Sequence, residues 1–164
     1  MPYFAAALAR TEDGWVAREL DLDDVPDIEV LTEQLRELSG DGAGPALLLL
    51  DEDDEYVAVV RVDGGAGGLD EPRVFLSDRR AVQASEVAAM LWEEAPRSDA
   101  GEDDEGNRPS AEPVGDTALL ADLGTSADDL LALCAEEGLL PADVLTALCE
   151  RAGCLDALES LREQ

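Results

Sequence analysis

The residue types that most often carry enzyme chemistry are missing from this chain. Its 164 residues include no histidine and no lysine, and its 11 basic residues are all arginine. Without histidine there is no imidazole base and no Ser-His or Cys-His nucleophilic pair. Without lysine there is no Schiff base and no P-loop lysine to contact a nucleotide phosphate. These absences exclude many catalytic sites, and we predict that the protein is not an enzyme.

Three cysteines near the C-terminus are the first candidates for a metal or redox site. Cys134, Cys149 and Cys154 form no C-x-x-C pair, and a zinc site would need carboxylates because histidine is absent. Cys134 and Cys149 fall on leucine-rich faces of predicted helices, where a free cysteine packs as a small hydrophobic residue. An odd cysteine count in a cytoplasmic chain also argues against structural disulfides. We therefore predict that the cysteines pack in the core and that the protein binds no cofactor.

Acidic residues are the second candidates, because the chain has 40 of them. The run Asp51-Glu52-Asp53-Asp54-Glu55 resembles a calcium loop only superficially, since Tyr56 occupies the sixth position, where an EF-hand needs glycine. Paired carboxylates could also act as acid and base in a hydrolase. With so many acids, however, close pairs arise by chance. A metal-binding or small-ligand-binding domain remains an alternative function.

The net charge of −29 limits the partners of the protein. Nucleic acids are bound chiefly by cations that neutralise phosphates, and an acidic surface is repelled by nucleic acids and by anionic membranes. We therefore predict no direct nucleic-acid binding and no membrane binding, and favour a basic protein partner. A general acidic mimic of nucleic acid is a further alternative. The N-terminus lacks a charged leader followed by an apolar segment, and no apolar run approaches about 20 residues, so we expect a cytoplasmic protein.

Four arginines form the one local concentration of positive charge in the sequence. Arg61 and Arg73 lie in predicted neighbouring strands, and Arg79 and Arg80 follow at the start of a predicted helix. One interpretation is that they form ion pairs with the surrounding acids. The other is that they form a contact patch for a carboxylate-rich or phosphate-bearing partner. We keep these four as candidate partner-contact residues and name no catalytic, cofactor-binding or metal-binding residue.

The first 92 residues alternate strand-like and helix-like patterns, which predicts an α+β sheet domain over residues 1–92. Leucines at helical spacing after Ile28 predict one helix, and an Ala- and Val-rich stretch from Ser77 or Asp78 to Trp92 predicts a second. Glycine runs at 40–44 and 64–68 are predicted loops, because neither follows the strand-glycine-helix order of a dinucleotide site. We expect a mainly antiparallel sheet of about five strands with the helices on one face. The predicted strands are 3–9, 14–20, 46–50, 56–62 and 73–76.

The remaining chain divides into an acidic, proline-containing linker and a helical tail. Residues 93–115 have almost no apolar side chains, so they cannot bury enough surface to offset the entropy of ordering them. Residues 116–164 form a predicted small C-terminal helical region, which either makes its own bundle or docks on the sheet. Its helix signals are Gly124 as a stop, Thr125 or Ser126 as a cap, Pro141 at a first turn and Gly153 as a second stop.

Several short segments on both sides of the linker form a recognisable set. They include Tyr3-Phe4-Ala5-Ala6, Gly14-Trp15, Leu20-Asp21-Leu22-Asp23-Asp24-Val25, Val60-Arg61-Val62-Asp63, Arg73-Val74-Phe75-Leu76-Ser77-Asp78, Leu120-Ala121-Asp122-Leu123-Gly124, Pro141-Ala142-Asp143 and Arg151-Ala152-Gly153. Together these segments resemble the bacterial tRNA adenosine deaminase-associated protein family. The resemblance implies an accessory protein that binds or modulates a tRNA adenosine deaminase. The chain itself lacks the histidine and the C-x-x-C that the zinc deaminase chemistry needs.

Overall fold

The computed structural model describes ten stretches of the chain, and the statements below concern these. They are residues 3–11, 14–21, 28–39, 45–52, 56–63, 73–77, 89–90, 114–115, 119–135 and 140–162. The strands within them are β1 (Tyr3–Thr11), β2 (Gly14–Glu19), β3 (Pro45–Glu52), β4 (Tyr56–Asp63), β5 (Arg73–Leu76) and β6 (Val114–Gly115). The helices are α1 (Ile28–Ser39), a 3₁₀ turn (Ala121–Leu123), α2 (Ala127–Ala135), α3 (Pro141–Ala152) and α4 (Leu155–Arg162).

The strands form a single antiparallel sheet in the order β2-β1-β3-β4-β5-β6. The five predicted strands are confirmed, and β5 has the predicted bounds. The sixth strand, β6, comprises the last two residues of the predicted linker and pairs with Phe75 and Leu76. The α+β class with a mainly antiparallel sheet is therefore confirmed. Most of the predicted linker lies outside the described residues.

Consecutive apolar residues in the central strands bury side chains on both faces of the sheet. Because side chains alternate along a strand, Leu48 and Leu50 of β3 face one side, and Leu47 and Leu49 face the other. All four leucines are at most 2% exposed. Such runs are typical of a strand covered on both faces. The sheet therefore needs two covering layers.

Helix α1 supplies the first layer. Its residues Leu31 and Leu35 are fully buried against β1, β3 and β4, and Leu38 packs beside them. The small alanines of β1 that face α1 leave room for these leucines. Met90, in the helical residues Ala89–Met90, packs against the same core. The rest of the predicted second helix lies outside the described residues.

The C-terminal helices supply the second layer, on the opposite face. Leu145 and Leu148 of α3 and Leu158 of α4 are buried with Phe75 of β5 in one cluster. As predicted for residues 1–92, α1 and the described helical residue Met90 pack on the same face of the sheet. The C-terminal helices cover the other face, which is apolar in β3 and β4 as well and has to be covered. The helical tail docks on the sheet, so that parts of residues 1–92 and 116–164 share a core. Their division into separate domains stays a prediction.

Two glycines end C-terminal elements and one serine begins a helix, at positions that the sequence predicts. Gly124 and Gly153 have φ values of +101° and +89° and follow the 3₁₀ turn and α3. Gly124 also approaches α3 closely, because a Cβ there would lie 2.6 Å from the carbonyl oxygen of Arg151. Ser126 caps α2 by accepting a hydrogen bond from the amide of Asp129 at 3.2 Å. These features fix the path of the chain over the sheet.

Candidate functional site

Arg61, a member of the predicted arginine patch, lies inside the protein. Its strand neighbours that of Arg73, as predicted, and the two arginines are register partners, but Arg61 is only 5% exposed. The guanidinium donates a hydrogen bond to the Leu119 carbonyl at 2.6 Å and bonds to both carboxylate oxygens of Asp122, at 2.5 and 2.9 Å. A buried cation needs such partners to offset its lost hydration. Arg61 therefore joins β4 to the 3₁₀ turn that precedes the C-terminal helices.

Asp122 stands at the surface end of this ion pair. Its side chain is 63% exposed, whereas that of Arg61 is almost completely buried. The hydrogen bond from Arg61 lowers the pKa of the Asp122 carboxyl, burial opposes this shift, and the charges of Arg61 and Arg73 add to the lowering. Asp122 is therefore ionised at neutral pH and faces both arginines. The sequence could not single it out among 40 acids.

Of the other three arginines of the predicted patch, the structure describes only Arg73. Arg73 is half-buried on the same face of the sheet as Arg61. Arg79 and Arg80 lie outside the described residues. For Arg61 the geometry favours the ion-pair interpretation over a surface contact. Contact of a partner with Arg73, Arg79 and Arg80 stays a prediction.

The structure describes only the first two residues of the acidic run at 51–55, and both lie in a strand. Asp51 and Glu52 belong to β3, and the Asp51 side chain is buried. Glu52 accepts a hydrogen bond from the Tyr56 hydroxyl at 2.7 Å. Residues 53–55 lie outside the described part of the chain, as do both glycine runs. Within the described stretches, no three His, Cys, Asp or Glu residues form a group that could hold a metal ion.

The three cysteines pack as the sequence predicts. Cys149 and Cys154 are each 1% exposed in the core of the C-terminal face, and all three cysteines are free thiols. Cys134 is half-buried on α2, and burial raises the pKa of its thiol to about 11. A hydrogen bond with Cys149 lowers the pKa of the Cys154 thiol. The sequence did not predict this contact between Cys149 and Cys154.

The C-terminal helices carry two surface patches that the sequence analysis missed, and we call them the acidic-leucine patches. In α2, Asp128 and Leu131 are both exposed and lie three residues apart, on one side of the helix. At the start of α3, Leu140 is 54% exposed and its amide donates a hydrogen bond to the exposed Asp143 carboxylate at 3.2 Å. No sequence pattern singles out these patches, since Leu131 lies within an apolar run and Leu140 directly follows another leucine.

A crevice between β3 and the C-terminal helices is a weak candidate for a ligand site. It is lined by apolar side chains, including those of Leu47, Leu49, Leu148 and Ala152, together with Thr125 and two cysteines. It leaves no space for a molecule the size of water. Ligand pockets usually enclose several hundred Å³. We therefore regard it as a packing seam.

The family comparison covers nearly the whole fold described above. A family model for "Rv3753c-like tRNA adenosine deaminase-associated protein" matches residues 3–155, from the first residue of β1 to the first of α4. The chain belongs to this family. The resemblance found in the sequence is thereby confirmed for the deaminase-associated family. No curated protein and no solved structure matches the chain. No helix among the described residues is long and apolar enough to cross a bilayer.

Proposed function

We propose that the protein is a non-enzymatic accessory protein of the cytoplasm that binds a tRNA adenosine deaminase and modulates it. The observation that carries the proposal is the match to a family named for association with that enzyme. The net charge of −29 supports it. An enzyme that binds tRNA presents cations to the phosphates, and an acidic protein is attracted to the same cations.

The acidic-leucine patches are the surface that we propose for this contact. Protein interfaces combine apolar side chains at their centre with a polar rim. Leu131 and Leu140 supply exposed apolar side chains, and Asp128 and Asp143 lie next to them. A basic surface with apolar side chains between its cations would complement both. Arg73, Arg79 and Arg80 would then bind acidic groups of the same partner.

Docking on the RNA-binding face would place the accessory protein in competition with tRNA. The accessory protein would hold the deaminase until RNA displaces it, or it would stabilise the enzyme between catalytic cycles. Both effects depend on electrostatic attraction, which is screened over about 8 Å at physiological ionic strength. Binding should therefore weaken steeply as salt is added.

The test is a titration of the purified protein with the tRNA adenosine deaminase of the same organism, at salt concentrations from about 50 mM to about 500 mM. We expect a one-to-one complex at low salt that dissociates at high salt and that competes with tRNA. Absence of binding at every salt concentration would refute the proposal. Equal binding to unrelated basic proteins would instead support a general acidic mimic of nucleic acid.

Matched variants test whether the acidic-leucine patches form the interface with the deaminase. The double variant Asp128→Asn and Asp143→Asn should weaken binding, whereas Glu33→Gln with Glu37→Gln, on the exposed side of α1, changes the net charge equally and should leave it nearly unchanged. Leu140→Ser should weaken binding about tenfold, which corresponds to roughly 1.4 kcal/mol. Val16→Ser in β2 is the control, because Val16 is another exposed apolar residue. Equal effects of the paired variants would place the interface elsewhere.

The alternative of a metal-binding or small-ligand-binding domain is tested with the same protein. Calorimetry with calcium, magnesium and zinc measures binding to the acidic residues directly. Heats that saturate at one ion per chain would favour the alternative over the accessory role. Their absence for all three ions would reject the metal version.

A further inference from the structure

Cys149 and Cys154 are brought together by the way in which α3 ends. Gly153 adopts a left-handed conformation after the last residue of α3, and the amides of Gly153 and Cys154 both donate to the Cys149 carbonyl, each at 2.9 Å. In this type of helix end, the side chain that follows the glycine packs back on the last turn of the helix. Here the two residues that meet in this way are both cysteine.

The two thiols are in direct contact within an apolar environment. Each residue is 1% exposed, a hydrogen bond joins the two thiols, and both residues line the crevice next to Leu47 and Leu49. The same hydrogen bond lowers the pKa of the Cys154 thiol, and burial opposes this shift. Cys134 lies on a different helix, and burial raises the pKa of its thiol to about 11. The chain thus places two of its three cysteines as a pair.

We propose that Cys149 and Cys154 form a reversible intramolecular disulfide when the protein meets a peroxide. The Cys154 thiolate attacks one oxygen of hydrogen peroxide, the O–O bond breaks, and the products are a Cys154 sulfenic acid and, after protonation, water. The Cys149 thiol then attacks the sulfenic sulfur, the S–S bond forms, and a second water leaves. In total, two thiols are oxidised by two electrons, and one peroxide is reduced to two waters.

The position of the pair determines how the reaction starts and what it changes. Because both thiols are buried, the peroxide reaches them when α4 opens locally. The disulfide then ties the start of α4 to the last turn of α3. Since α4 packs on β1 and β2, this bond stabilises the junction between α3 and α4 at one edge of the C-terminal layer. Oxidised protein should therefore melt at a higher temperature than reduced protein.

The sequence makes the bond simple to detect. Trypsin cleaves after Arg151, which lies between the two cysteines, so the fragments remain joined only if the disulfide is present. The experiment treats the full chain carrying Cys134→Ser with hydrogen peroxide, blocks the remaining thiols by alkylation, digests it and identifies the peptides by mass. We expect a joined pair of peptides in monomeric protein, its loss after a dithiol reductant, and faster formation in urea below the unfolding transition.

Three further measurements make the result decisive. Cys149→Ser and Cys154→Ser should each abolish the joined peptides, and circular dichroism shows whether these variants fold. Wild-type protein should give the same Cys149–Cys154 bond and keep Cys134 available for alkylation. Disulfides that form only between chains, only through Cys134, or only after complete unfolding would overturn the proposal. Overoxidation of Cys154 without a disulfide would also overturn it.

Discussion

The two faces of the sheet are covered in different ways. The first is covered by α1, which follows β2 in the chain and contributes aliphatic side chains such as Leu31 and Leu35. The second is covered by residues from 119 to the end of α4, far along the chain, and it includes a buried arginine, two buried cysteines and the buried Thr125. The α1 face is therefore mostly apolar, with the hydrogen bond from Tyr56 to Glu52 as a local polar contact, whereas on the C-terminal face a buried arginine joins the sheet to the covering layer.

The difference indicates what each face contributes. Apolar contacts are not directional, and hydrophobic side chains of similar volume can replace one another at modest cost. The bond between Arg61 and Asp122 joins residues 61 positions apart and forms in one arrangement only. We infer that α1 mainly stabilises the sheet, whereas the polar contacts of the second face select the position of the helices that carry the acidic-leucine patches.

The largest expected effects test whether the two faces unfold together. Leu35→Ala leaves a cavity in the core on the α1 side of the sheet, and Leu145→Ala leaves one in the core on the C-terminal side. Each leucine is fully buried. We expect each change to lower the free energy of unfolding by about 2–5 kcal/mol. Urea unfolding followed by far-ultraviolet circular dichroism and by tryptophan fluorescence should give one shared transition. Two separate transitions in Leu145→Ala would show that the predicted domains unfold independently.

Gly124→Ala tests the close approach between the 3₁₀ turn and α3. The new Cβ would lie 2.6 Å from the Arg151 carbonyl oxygen, and φ is +101°, so we expect a loss of about 2–4 kcal/mol from strain and overlap. Gly153→Ala is the control, because its φ is +89° and no atom lies within 4 Å of the new Cβ. We expect about 1–2 kcal/mol there. Equal losses on thermal unfolding would argue against a tight contact at Gly124.

Asp122→Asn tests the polar contact of the C-terminal face. The folded pKa of Asp122 is lowered from 3.8 by Arg61, so the ion pair stabilises the fold above that value and is lost as the pH falls through the folded pKa. Because Asp122 is exposed, we expect a loss of only about 1–2 kcal/mol at pH 7, from urea unfolding. The difference from wild type should shrink below pH 3.8. Glu159→Gln, an exposed change in α4, is the control for the loss of one negative charge.

Ser126→Ala should have the smallest effect of the series. It removes the side-chain oxygen that caps α2, which typically costs about 1 kcal/mol. Ser160→Ala is the matched control, since the Ser160 hydroxyl donates to a carbonyl within α4, and this contact adds little to helix stability. Thermal unfolding measures both variants. A larger loss for Ser160→Ala would contradict the assignment of Ser126 as the cap.

Local patterns sufficed to predict the individual elements. The leucines of α1 recur at helical spacing, β5 coincides with a short run of strand formers, and Pro141 begins α3 as expected. Each of these signals depends on a few neighbouring residues. For the same reason the stops at Gly124 and Gly153 were predictable, because a left-handed residue after a helix is most often glycine.

Contacts between distant residues were not predictable in this way. Arg61 could have paired with any of 40 acids, and only the fold selects Asp122. The second covering layer had a signal, however, since the unbroken apolar runs of β3 and β4 are typical of strands buried on both faces. Strand β6 is too short to give a pattern, and the contact between Cys149 and Cys154 depends on how the chain turns at Gly153.

The pairing of β5 with β6 has a consequence for engineering the chain. Leu76 and Val114 are register partners, so the two ends of the segment between them lie at adjacent positions of the sheet. The closure entropy of such a segment changes by only about 0.6 kcal/mol when its length doubles or halves. Residues 93–113 should therefore accept deletions, affinity tags or an inserted reporter domain while the sheet keeps its register. A label inserted there leaves the sequences of α2 and α3, which carry the acidic-leucine patches, unchanged.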